Sequence, residues 1–459
     1  FSNIRQDEYG GSIEGRARFA KEIIEEIRSR IGDEFPLSFK ISAQEFVPNG
    51  LTVEESIEII KILIKAGIDF IQVSAGCDAT PEWICQPMYM KKACLADSAG
   101  KIKEAVSIPV MSVGRINDPA IADDILSKGW ADLICMGRAI LADPEFPKKA
   151  KEGRLNEINM CIACNTCMES IFRRGRIECL VNPFLGREKE LVFKPAQKVK
   201  RIMVVGGGPA GMNVAWIAAK RGHKVRLFEK QPFLGGQLVL GSATTYKKEI
   251  KNIINYHQTQ LRKYKVECIL NTEVNAELVK KENPDVVVLA TGSYPIIPDV
   301  PGVDKDIVVP VSKILFQEGP LPRESIVVGG GPTGCEVALH LAESGSKVTI
   351  VEMLPKIGNG LESITRKVLI NKLMENNVRF LTNSVLERIE DNGVWVKSKG
   401  KEEFIPAERV IISIGNRPDT RLYEQIKDMK YEIYQIGDCI EPRSAKTAIY
   451  EGTVLGLSI

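Results

Sequence analysis

The chain has 459 residues, 44% of them hydrophobic and 26% charged, and its formal net charge is only +3. This length suffices for two or three domains, and the composition is typical of a soluble globular protein. The near balance of charge excludes a general nucleic-acid binder or a membrane-surface binder. No apolar run approaches the roughly 18 residues that span a bilayer, and no signal peptide is visible.

The 11 cysteines are an odd number, and seven of them are scattered singly among apolar or loop residues. That usage indicates buried thiols in a reducing compartment rather than a secreted disulfide framework, so we expect a cytoplasmic protein. The chain begins at Phe1 in what reads as a loop and stops inside the apolar pattern TVLGLSI. We therefore expect both ends to be truncated.

Residues 1–155 alternate buried strands with amphipathic helices, and the predicted helices cover 16–31, 53–66, 97–106 and 117–129. The predicted strands cover 37–42, 70–75, 109–113 and 132–137. Thr52 with Glu55 forms a capping box, and Asp118 before Pro119 is a good helix start. Four strand–helix units predict an α/β fold in which this domain is the C-terminal half of a (β/α)8 TIM barrel. We expect the N-terminal half to lie upstream of Phe1.

Residues 156–198 form a basic, irregular segment that carries a cysteine cluster. Its spacing is C-x2-C-x2-C-x11-C, at Cys161, Cys164, Cys167 and Cys179. Three cysteines close together with one distant cysteine favour a [4Fe–4S] cluster. A zinc site is the alternative, although zinc usually takes two C-x2-C pairs or pairs with histidine.

A strand, a tight glycine turn and a helix start follow in RIMVVGGGPAG. Gly206, Gly208 and Gly211 occupy the GxGxxG positions, and Glu229 ends the next strand, where a carboxylate can accept from ribose hydroxyls. This pattern predicts a Rossmann-like FAD domain over 199–320 that resumes over 410–459. Further FAD contacts are predicted at the following residues: Gly236, Gln237, Thr291, Gly292 and Asp438.

A second copy of the glycine loop lies within 321–409 and predicts an NAD(P)H domain nested in the first. Its glycines are Gly329, Gly331 and Gly334, and its acidic residue is Glu352. A carboxylate there favours NADH, because the 2′-phosphate of NADPH would meet a like charge. Lys356 lies four residues further on, so NADPH is disfavoured but stays open.

Two glycine–arginine pairs follow the last two strands of the predicted barrel, Gly114-Arg115 and Gly137-Arg138. Phosphate sites often form at these loops, so the pairs predict binding of an FMN phosphate. The alternative is that they are surface arginines after sharp turns. Lys40 lies inside an apolar strand, where it would either stabilise reduced flavin or extend its ammonium group to solvent.

Taken together, the motifs of this chain resemble one flavoenzyme group over essentially its whole length. The motifs that carry the resemblance are IRQDEYGGSIEGRARF, SVGRI, MGRAILADPEFP, CIACNTC…CLVNP, GGGPAG and GGGPTG. It is the iron–sulfur branch of the old yellow enzyme family, with the 2,4-dienoyl-CoA and 2-enoate reductases. Trimethylamine dehydrogenase shares the layout. The stretch around VSAGCDATPEW looks closest to 2-enoate reductases and bile-acid-inducible 3-oxo-steroid-CoA oxidoreductases.

The resemblance implies that NAD(P)H reduces FAD, that a [4Fe–4S] cluster relays single electrons, and that FMN reduces an activated C=C bond. It assigns Arg115, Gly137 and Arg138 to the FMN phosphate and places Lys40 near the flavin ring. It assigns the four cysteines of the cluster segment to the iron. The dienoyl-CoA reductase histidine is missing from SAGCDATPEW. The catalytic residue is unknown, because the proton-donating tyrosine of the family would lie upstream of Phe1.

The sequence therefore predicts an NADH-dependent ene-reductase for an enoate, an enoyl-CoA or a 3-oxo-steroid, with the desaturase direction left open. One alternative is an amine dehydrogenase of the trimethylamine dehydrogenase type, and another is a non-catalytic electron-transfer flavoprotein. The expected partner is a small unsaturated carbonyl substrate, with no nucleic acid and no membrane. Self-association into a homo-oligomer is left open.

Overall fold

The computed structural model describes residues 1–317 and 319–459. The chain divides into two compact units, of which the first comprises Phe1–Leu155 and Ala163–Asn165. The second comprises Asn156–Ile162 and Thr166–Ile459. Among these described residues, no helix combines the length and the apolar character needed to cross a membrane.

The first unit contains a parallel sheet with the strand order β1-β2-β3-β4, which follows the chain. Its strands are β1 (Ser38–Ser42), β2 (Phe70–Ser74), β3 (Val110–Ser112) and β4 (Leu133–Ile134). Its helices are α1 (Ile13–Ile31), α2 (Val53–Ala66), α3 (Pro81–Ile84), α4 (Ala96–Ala105), α5 (Pro119–Ser127), α6 (Arg138–Ala142) and α7 (Phe146–Lys151). A parallel sheet in chain order with a helical connection after each strand is the repeat of a (β/α) barrel.

Local capping signals set the helix starts in this unit. The capping box is confirmed, because the Thr52 side chain accepts from the backbone N–H of Glu55 while Glu55 accepts from Thr52. Asp118 caps α5 as predicted. Helix α1 begins three residues earlier than the predicted residue 16, because Ser12 accepts from the Gly15 N–H and fixes the start at Ile13. Strand β4 is shorter than the predicted 132–137.

The two faces of this sheet differ in chemistry. One face packs its apolar side chains, such as Ile71 and Val73, against those of α1 and α2, including Ile24 and Leu63. The other face carries Lys40, which lies in register with Gln72 on β2, which in turn lies in register with Met111 on β3. Because side chains alternate along a strand, Lys40, Gln72 and Met111 occupy the face opposite the helices.

The second unit contains two larger parallel sheets, with the orders β19-β8-β5-β6-β7 and β10-β17-β11-β12-β13. An antiparallel sheet β14-β15-β16 and a pair β18-β9 accompany them. The strands are β5 (Arg201–Val205), β6 (Lys224–Phe228), β7 (Glu267–Ile269), β8 (Val286–Leu289), β9 (Ser293–Pro295), β10 (Val308–Val309), β11 (Glu324–Val328), β12 (Lys347–Val351), β13 (Arg379–Leu381), β14 (Ser384–Glu390), β15 (Gly393–Ser398), β16 (Lys401–Pro406), β17 (Arg409–Ile412), β18 (Asn416–Pro418) and β19 (Glu432–Gln435).

The helices of this unit pack on both parallel sheets. They are α8 (Thr166–Phe172), α9 (Pro209–Lys220), α10 (Gln237–Gly241), α11 (Lys251–Lys263), α12 (Ala276–Glu282), α13 (Val311–Leu315), α14 (Pro332–Glu343), α15 (Ser363–Glu375), α16 (Arg421–Ile426) and α17 (Ala445–Ser458). Short 3₁₀ helices lie at Leu155–Glu157, Thr245–Ile250 and Gly437–Cys439.

The second parallel sheet is inserted between strands β8 and β19 of the first. Strand β10 pairs in parallel with β17, so both belong to the inserted sheet. This sheet therefore extends beyond the predicted 321–409 on both sides, into 308–309 and 410–412. The reason is a pairing between segments about a hundred residues apart, which local sequence patterns do not reveal. The remaining predicted domain limits stay predictions.

Candidate nucleotide and flavin sites

The first glycine loop joins β5 to α9 through a turn that only glycine can make. Gly206 has φ +107°, and a Cβ there would overlap the carbonyl oxygen of Ala290. A Cβ at Gly211 would overlap the carbonyl oxygen of Gly206, so helix and strand pack without room for a side chain. A Cβ at Gly208 would instead meet open space. This opening at the start of α9 is where a pyrophosphate could approach the helix.

Glu229, directly after β6, is 8% exposed and holds this loop in shape. Its Oε2 accepts from the Gly207 N–H at 2.7 Å, and its Oε1 accepts from the Gln231 N–H at 2.8 Å. Each carboxylate oxygen retains a second acceptor site, so a ribose hydroxyl could still donate to it. Gly236, with φ +52°, lies next to the loop, since its Cβ would stand 3.0 Å from the Gly208 Cα. Gln237 begins α10 and is exposed.

Three further predicted residues meet this loop at the carboxyl edge of the same sheet. Thr291 and Gly292 follow β8, and the Thr291 hydroxyl donates to the carbonyl oxygen of Asp419 at 2.7 Å. Asp438 follows β19 and accepts from the backbone N–H of Arg443 at 3.1 Å. Because β8 pairs with β5 and β19 pairs with β8, all in parallel, the fold brings these residues to the side of the sheet where nucleotides bind in such folds.

The second glycine loop repeats the first almost contact for contact. Gly329 has φ +103°, and its Cβ would overlap the carbonyl oxygen of Ser413. A Cβ at Gly334 would overlap the carbonyl oxygen of Gly329, whereas a Cβ at Gly331 would meet open space. The structure therefore builds a second turn with the same opening at the start of α14.

Glu352 takes the position in this loop that Glu229 takes in the first. It is 8% exposed, and it accepts from the Gly330 N–H at 2.6 Å and from the Leu354 N–H at 2.7 Å. The carboxylate is thus fixed at the end of β12, beside the glycine turn. Cys335, in α14 behind the loop, is fully buried, and burial raises the pKa of its thiol to about 12. That thiol stays protonated near neutral pH and is no nucleophile.

In the first unit, both glycine–arginine pairs bind one segment of the α3–α4 connection. Arg115 is buried, has φ +53°, and donates from Nη1 to the carbonyl oxygens of Met88, at 3.4 Å, and Met90. A Cβ at the preceding Gly114 would stand 2.9 Å from the Leu95 side chain. The guanidinium therefore turns inward to backbone carbonyls, and the alternative of a solvated surface arginine is wrong for Arg115.

Arg138 binds the start of the same segment. Its Nη1 donates to the Gln86 carbonyl oxygen at 2.7 Å and to Asn165 Oδ1 at 2.6 Å, and its Nη2 donates to Gln86 Oε1 at 3.2 Å. Gly137, before it, is exposed, and a Cβ there would meet open space. An open glycine beside a fixed guanidinium fits the terminal phosphate of a flavin mononucleotide. Sequence reasoning missed Gln86 and Asn165, because neither lies near Arg138 in the chain.

Lys40 and the loop after β1 lie on the same sheet of the first unit as the two glycine–arginine pairs. Lys40 is exposed on β1, and its neighbour Gln72 directs its amide to the Cys135 Sγ at 3.2 Å. The loop after β1 holds Phe46 at φ +54°, an unusual conformation for a bulky residue. Its ring stacks on Trp83, with centroids 3.6 Å apart and planes 8° from parallel.

This aromatic pair is fixed by hydrogen bonds between the loops after β1 and β2. The Thr80 hydroxyl donates to the Glu45 carbonyl oxygen at 2.6 Å and accepts from the Cys77 N–H at 3.0 Å. The Gly76 N–H donates to the Gln44 carbonyl oxygen at 2.8 Å. Active sites of barrels form from loops at the carboxyl ends of strands, so the stacked rings occupy a site-forming position. Sequence reasoning missed Phe46, because no local pattern predicts its left-handed conformation or its stacking on Trp83.

The cysteine segment has an unusual backbone between its first three cysteines. Ala163 and Asn165, on either side of Cys164, both have positive φ, at +51° and +58°. Over residues 1–317 and 319–459, no group of three or more His, Cys, Asp or Glu side chains is close enough to hold a metal ion. The donor set itself, four cysteines without histidine, fits an iron–sulfur cluster chemically. The cluster therefore stays a prediction.

A charge cluster lies beside the fourth cysteine position within the second unit. Glu178 accepts from Arg187 Nη2 at 2.7 Å and pairs with Lys446 of α17. Hydrogen bonds from Lys446 and then Arg187 lower the pKa of Glu178 below its usual value. Arg187 also lies 4.8 Å from the centre of the Tyr450 ring. These contacts join the segment that carries Cys179 to the last helix of the first nucleotide fold.

Two protein families match this chain. Residues 1–157 match the NADH:flavin oxidoreductase / NADH oxidase family, and residues 200–452 match the pyridine nucleotide-disulphide oxidoreductase family. An NADH oxidase of Thermoanaerobacter brockii is 40% identical, covering 98% of this chain and 71% of that protein. A cinnamate reductase of Clostridium sporogenes is 34% identical, covering 98% and 70%.

A solved structure of 2-naphthoyl-CoA reductase with 2-naphthoyl-CoA has a TM-score of 0.96 and 33% identity, covering 100% of this chain and 70% of that chain. The fold and these matches define an NAD(P)H-dependent flavin oxidoreductase. More particularly, the chain belongs to the NADH:flavin oxidoreductase group that contains the 2-enoate and 2,4-dienoyl-CoA reductases. The predicted fold class, a TIM-barrel segment with nested Rossmann-like domains, is confirmed.

Proposed function

We propose that this protein is an NADH-dependent ene-reductase that reduces a C=C bond conjugated to a carbonyl group. The observation that carries the proposal is the complete second glycine loop, in which Glu352 is fixed beside an open Gly331. A nicotinamide nucleotide site is needed by a reductase and is not needed by an amine dehydrogenase. The similarity to a cinnamate reductase and to 2-naphthoyl-CoA reductase supports the same choice.

The proposed cofactor sites follow from the loops. The first glycine loop with Glu229 would hold FAD, the second with Glu352 would hold NADH, and Gly137 with Arg138 of the first unit would hold the phosphate of FMN. When bound, NADH supplies a hydride, FAD and a [4Fe–4S] cluster carry electrons, and FMN supplies the hydride that reaches the substrate. The cluster is proposed on Cys161, Cys164, Cys167 and Cys179 from their spacing and thiol chemistry.

The residues of this chain would bind, orient and polarise these groups. Backbone N–H groups at the start of α9 and α14 would donate to pyrophosphates, and the two fixed glutamates would accept from ribose hydroxyls. Lys40 would place a positive charge near the flavin ring and favour its reduced, anionic form. The proton for the α carbon is proposed to come from a tyrosine or a water molecule.

The aromatic pair supports an aryl-substituted or polycyclic substrate. Phe46 and Trp83 stack face to face beside the carboxyl ends of β1 and β2, and both rings are only partly exposed, so an outer ring face could receive a planar group. Stacking on such a surface stabilises a planar conjugated group more than it stabilises a short aliphatic chain. We therefore propose aryl enoates and aromatic acyl-CoA thioesters ahead of small enoates.

Oxygen-free purification followed by a cofactor and substrate assay tests the proposal. We expect one FMN and one FAD per chain and about four irons with sulfide. We also expect NADH oxidation that depends on an enoate such as cinnamate and yields the saturated acid. Zinc in place of iron, FAD without FMN, or oxidation of methylated amines without any reaction with NADH would contradict it.

A further inference from the structure

A buried asparagine from the cysteine segment contacts the arginine of the second glycine–arginine pair. Asn165 is 1% exposed, and its Oδ1 accepts from Arg138 Nη1 at 2.6 Å. Its Nδ2 donates to the carbonyl oxygen of Cys85 at 2.8 Å. Both ends of the amide are thus used, and all three residues belong to the first unit.

The backbone at Asn165 does not by itself require this side chain. Its φ of +58° lies in the left-handed region, which asparagine tolerates and which glycine adopts at no steric cost. A glycine would therefore satisfy the turn. The amide adds two hydrogen bonds that a glycine could not make, and both contact residues more than 25 positions away in the chain. Its contribution lies in those two contacts.

These contacts fix the orientation of the Arg138 guanidinium but do not use all of its N–H donors. A guanidinium has five N–H donors, and contacts among the described residues use three of them, two on Nη1 and one on Nη2. Two donors remain, on Nε and Nη2, and this edge has the geometry for bidentate binding of a phosphate. The Gln86 contacts, reinforced by the Gln86 amide donating to the Trp83 carbonyl oxygen, hold the other side of the group.

We infer that Asn165 is a positioning residue for phosphate recognition, which fixes the Arg138 guanidinium so that its free edge faces the phosphate of FMN. The inference rests on the proposed function, because it requires FMN in the first unit. Asn165 lies between Cys164 and Cys167, so phosphate binding would depend on a residue of the cysteine segment. Pre-orientation matters because a flexible arginine would lose side-chain entropy on binding.

The test compares FMN with riboflavin, which has the same ring and ribityl chain but no phosphate. The flavin is removed reversibly from the whole protein, and both compounds are titrated by flavin fluorescence, with iron and sulfide measured in the same samples. In the unchanged protein we expect FMN to bind at least 100-fold more tightly than riboflavin. Asn165→Gly keeps the left-handed backbone and removes the amide, and we expect this preference to fall about tenfold.

Two further variants separate positioning from a general structural effect. Asn165→Asp keeps an acceptor for Arg138 and the backbone preference, but its charge repels the phosphate, so the FMN preference falls while riboflavin binding is unchanged. In Arg138→Ala, adding Asn165→Gly should produce no further loss of FMN preference, because both changes remove the same interaction. The matched control is Asn377→Gly, at an exposed left-handed asparagine of the second unit, which should leave both affinities unchanged.

The outcomes distinguish this inference from the proposed function. Equal weakening of FMN and riboflavin in both Asn165 variants, or additive losses with Arg138→Ala, would overturn the positioning role while the ene-reductase proposal stands. Failure of the unchanged protein to prefer FMN over riboflavin would overturn both. A loss of FMN preference confined to the Asn165 and Arg138 variants supports the inference.

Discussion

The carboxylate of Glu352 accepts a hydrogen bond of 2.6 Å from the backbone N–H of Gly330, inside the second glycine loop. The same relationship holds between Glu229 and Gly207 in the first loop, at 2.7 Å. In both loops the acid at the end of the second strand holds the glycine turn by accepting from its backbone. Two sites with one geometry can therefore be tested against each other.

Removing the charge of Glu352 should change the choice of nicotinamide nucleotide. In Glu352→Gln, the side chain keeps an oxygen acceptor but no longer repels a 2′-phosphate. We expect the ratio of kcat/KM for NADPH to that for NADH to rise about tenfold, which corresponds to roughly 1.4 kcal/mol. Steady-state kinetics with both nucleotides measure it. Glu229→Gln is the control, and it should lower FAD content without altering the ratio, whereas an unchanged ratio in Glu352→Gln would contradict the assignment.

Glycines of the second loop should separate folding from binding. A Cβ at Gly331 meets open space, so Gly331→Ala should fold normally and raise the KM for NADH about tenfold, because the methyl group occupies the pyrophosphate position. A Cβ at Gly334 overlaps the Gly329 carbonyl oxygen, so Gly334→Ala should lower the thermal stability. Melting curves and NADH kinetics of the two variants check both. Equal destabilisation by the two changes would argue against this reading of the loop.

The features that the sequence predicted correctly are those whose interacting residues lie close together along the chain. The Thr52 capping box and the two glycine loops were predicted, because their contacts join residues within a few positions of one another or follow a repeated motif. The pairing of β10 with β17 was missed, since nothing local in Val308–Val309 indicates a partner near residue 410.

The candidate flavin site shows the same limit. Arg115 and Arg138 were selected by their place after the last strands, but their partners in 86–90 and at Asn165 depend on the folded chain. Phe46 carries no sequence signal, because a left-handed phenylalanine is unusual and only its stacking on Trp83 reveals it. Spacing identified the four cysteines, but it does not determine the arrangement of their thiols.

The stacked pair should set the preference for aromatic substrates. In Trp83→Leu, a planar substrate loses the stacked aromatic pair against which it would pack. We expect the KM for cinnamate to rise about tenfold and the KM for a small enoate such as crotonate to rise less than threefold, since aromatic contacts contribute about 1 kcal/mol beyond area. The control is Trp395→Leu, in the antiparallel sheet of the second unit, and it should change neither KM. An equal rise for both substrates in Trp83→Leu would contradict a role in selectivity.

A buried histidine should make stability depend on pH. His257 is 2% exposed, it accepts from the Trp216 indole N–H at 3.2 Å, and burial lowers its pKa to about 4 from 6.5. The native state therefore holds the neutral form, while the unfolded state takes up a proton below pH 6.5. The stability that this residue contributes is complete above pH 6.5 and is lost as the pH falls toward 4, by about 3 kcal/mol.

Urea unfolding between pH 8 and pH 4 measures this effect. We expect His257→Gln, which keeps an acceptor for Trp216 but does not titrate, to lose less stability over that range than the unchanged protein. Carboxylates and His223, whose pKa burial also lowers, contribute to the pH dependence of the free energy of unfolding in both proteins. Comparing the two proteins cancels these contributions. Parallel curves for both proteins would show that His257 is not the group responsible.

The most direct test of the central claim is an oxygen-free half-reaction in two steps. NADH is added to the purified protein while flavin absorbance is followed, and cinnamate or an aromatic enoyl-CoA is then added to the reduced protein. We expect NADH to bleach both flavins and the enoate to restore their absorbance while the saturated product forms in equal amount. Flavins that are reduced by methylated amines but not by NADH, or that no conjugated enoate reoxidises, would contradict it.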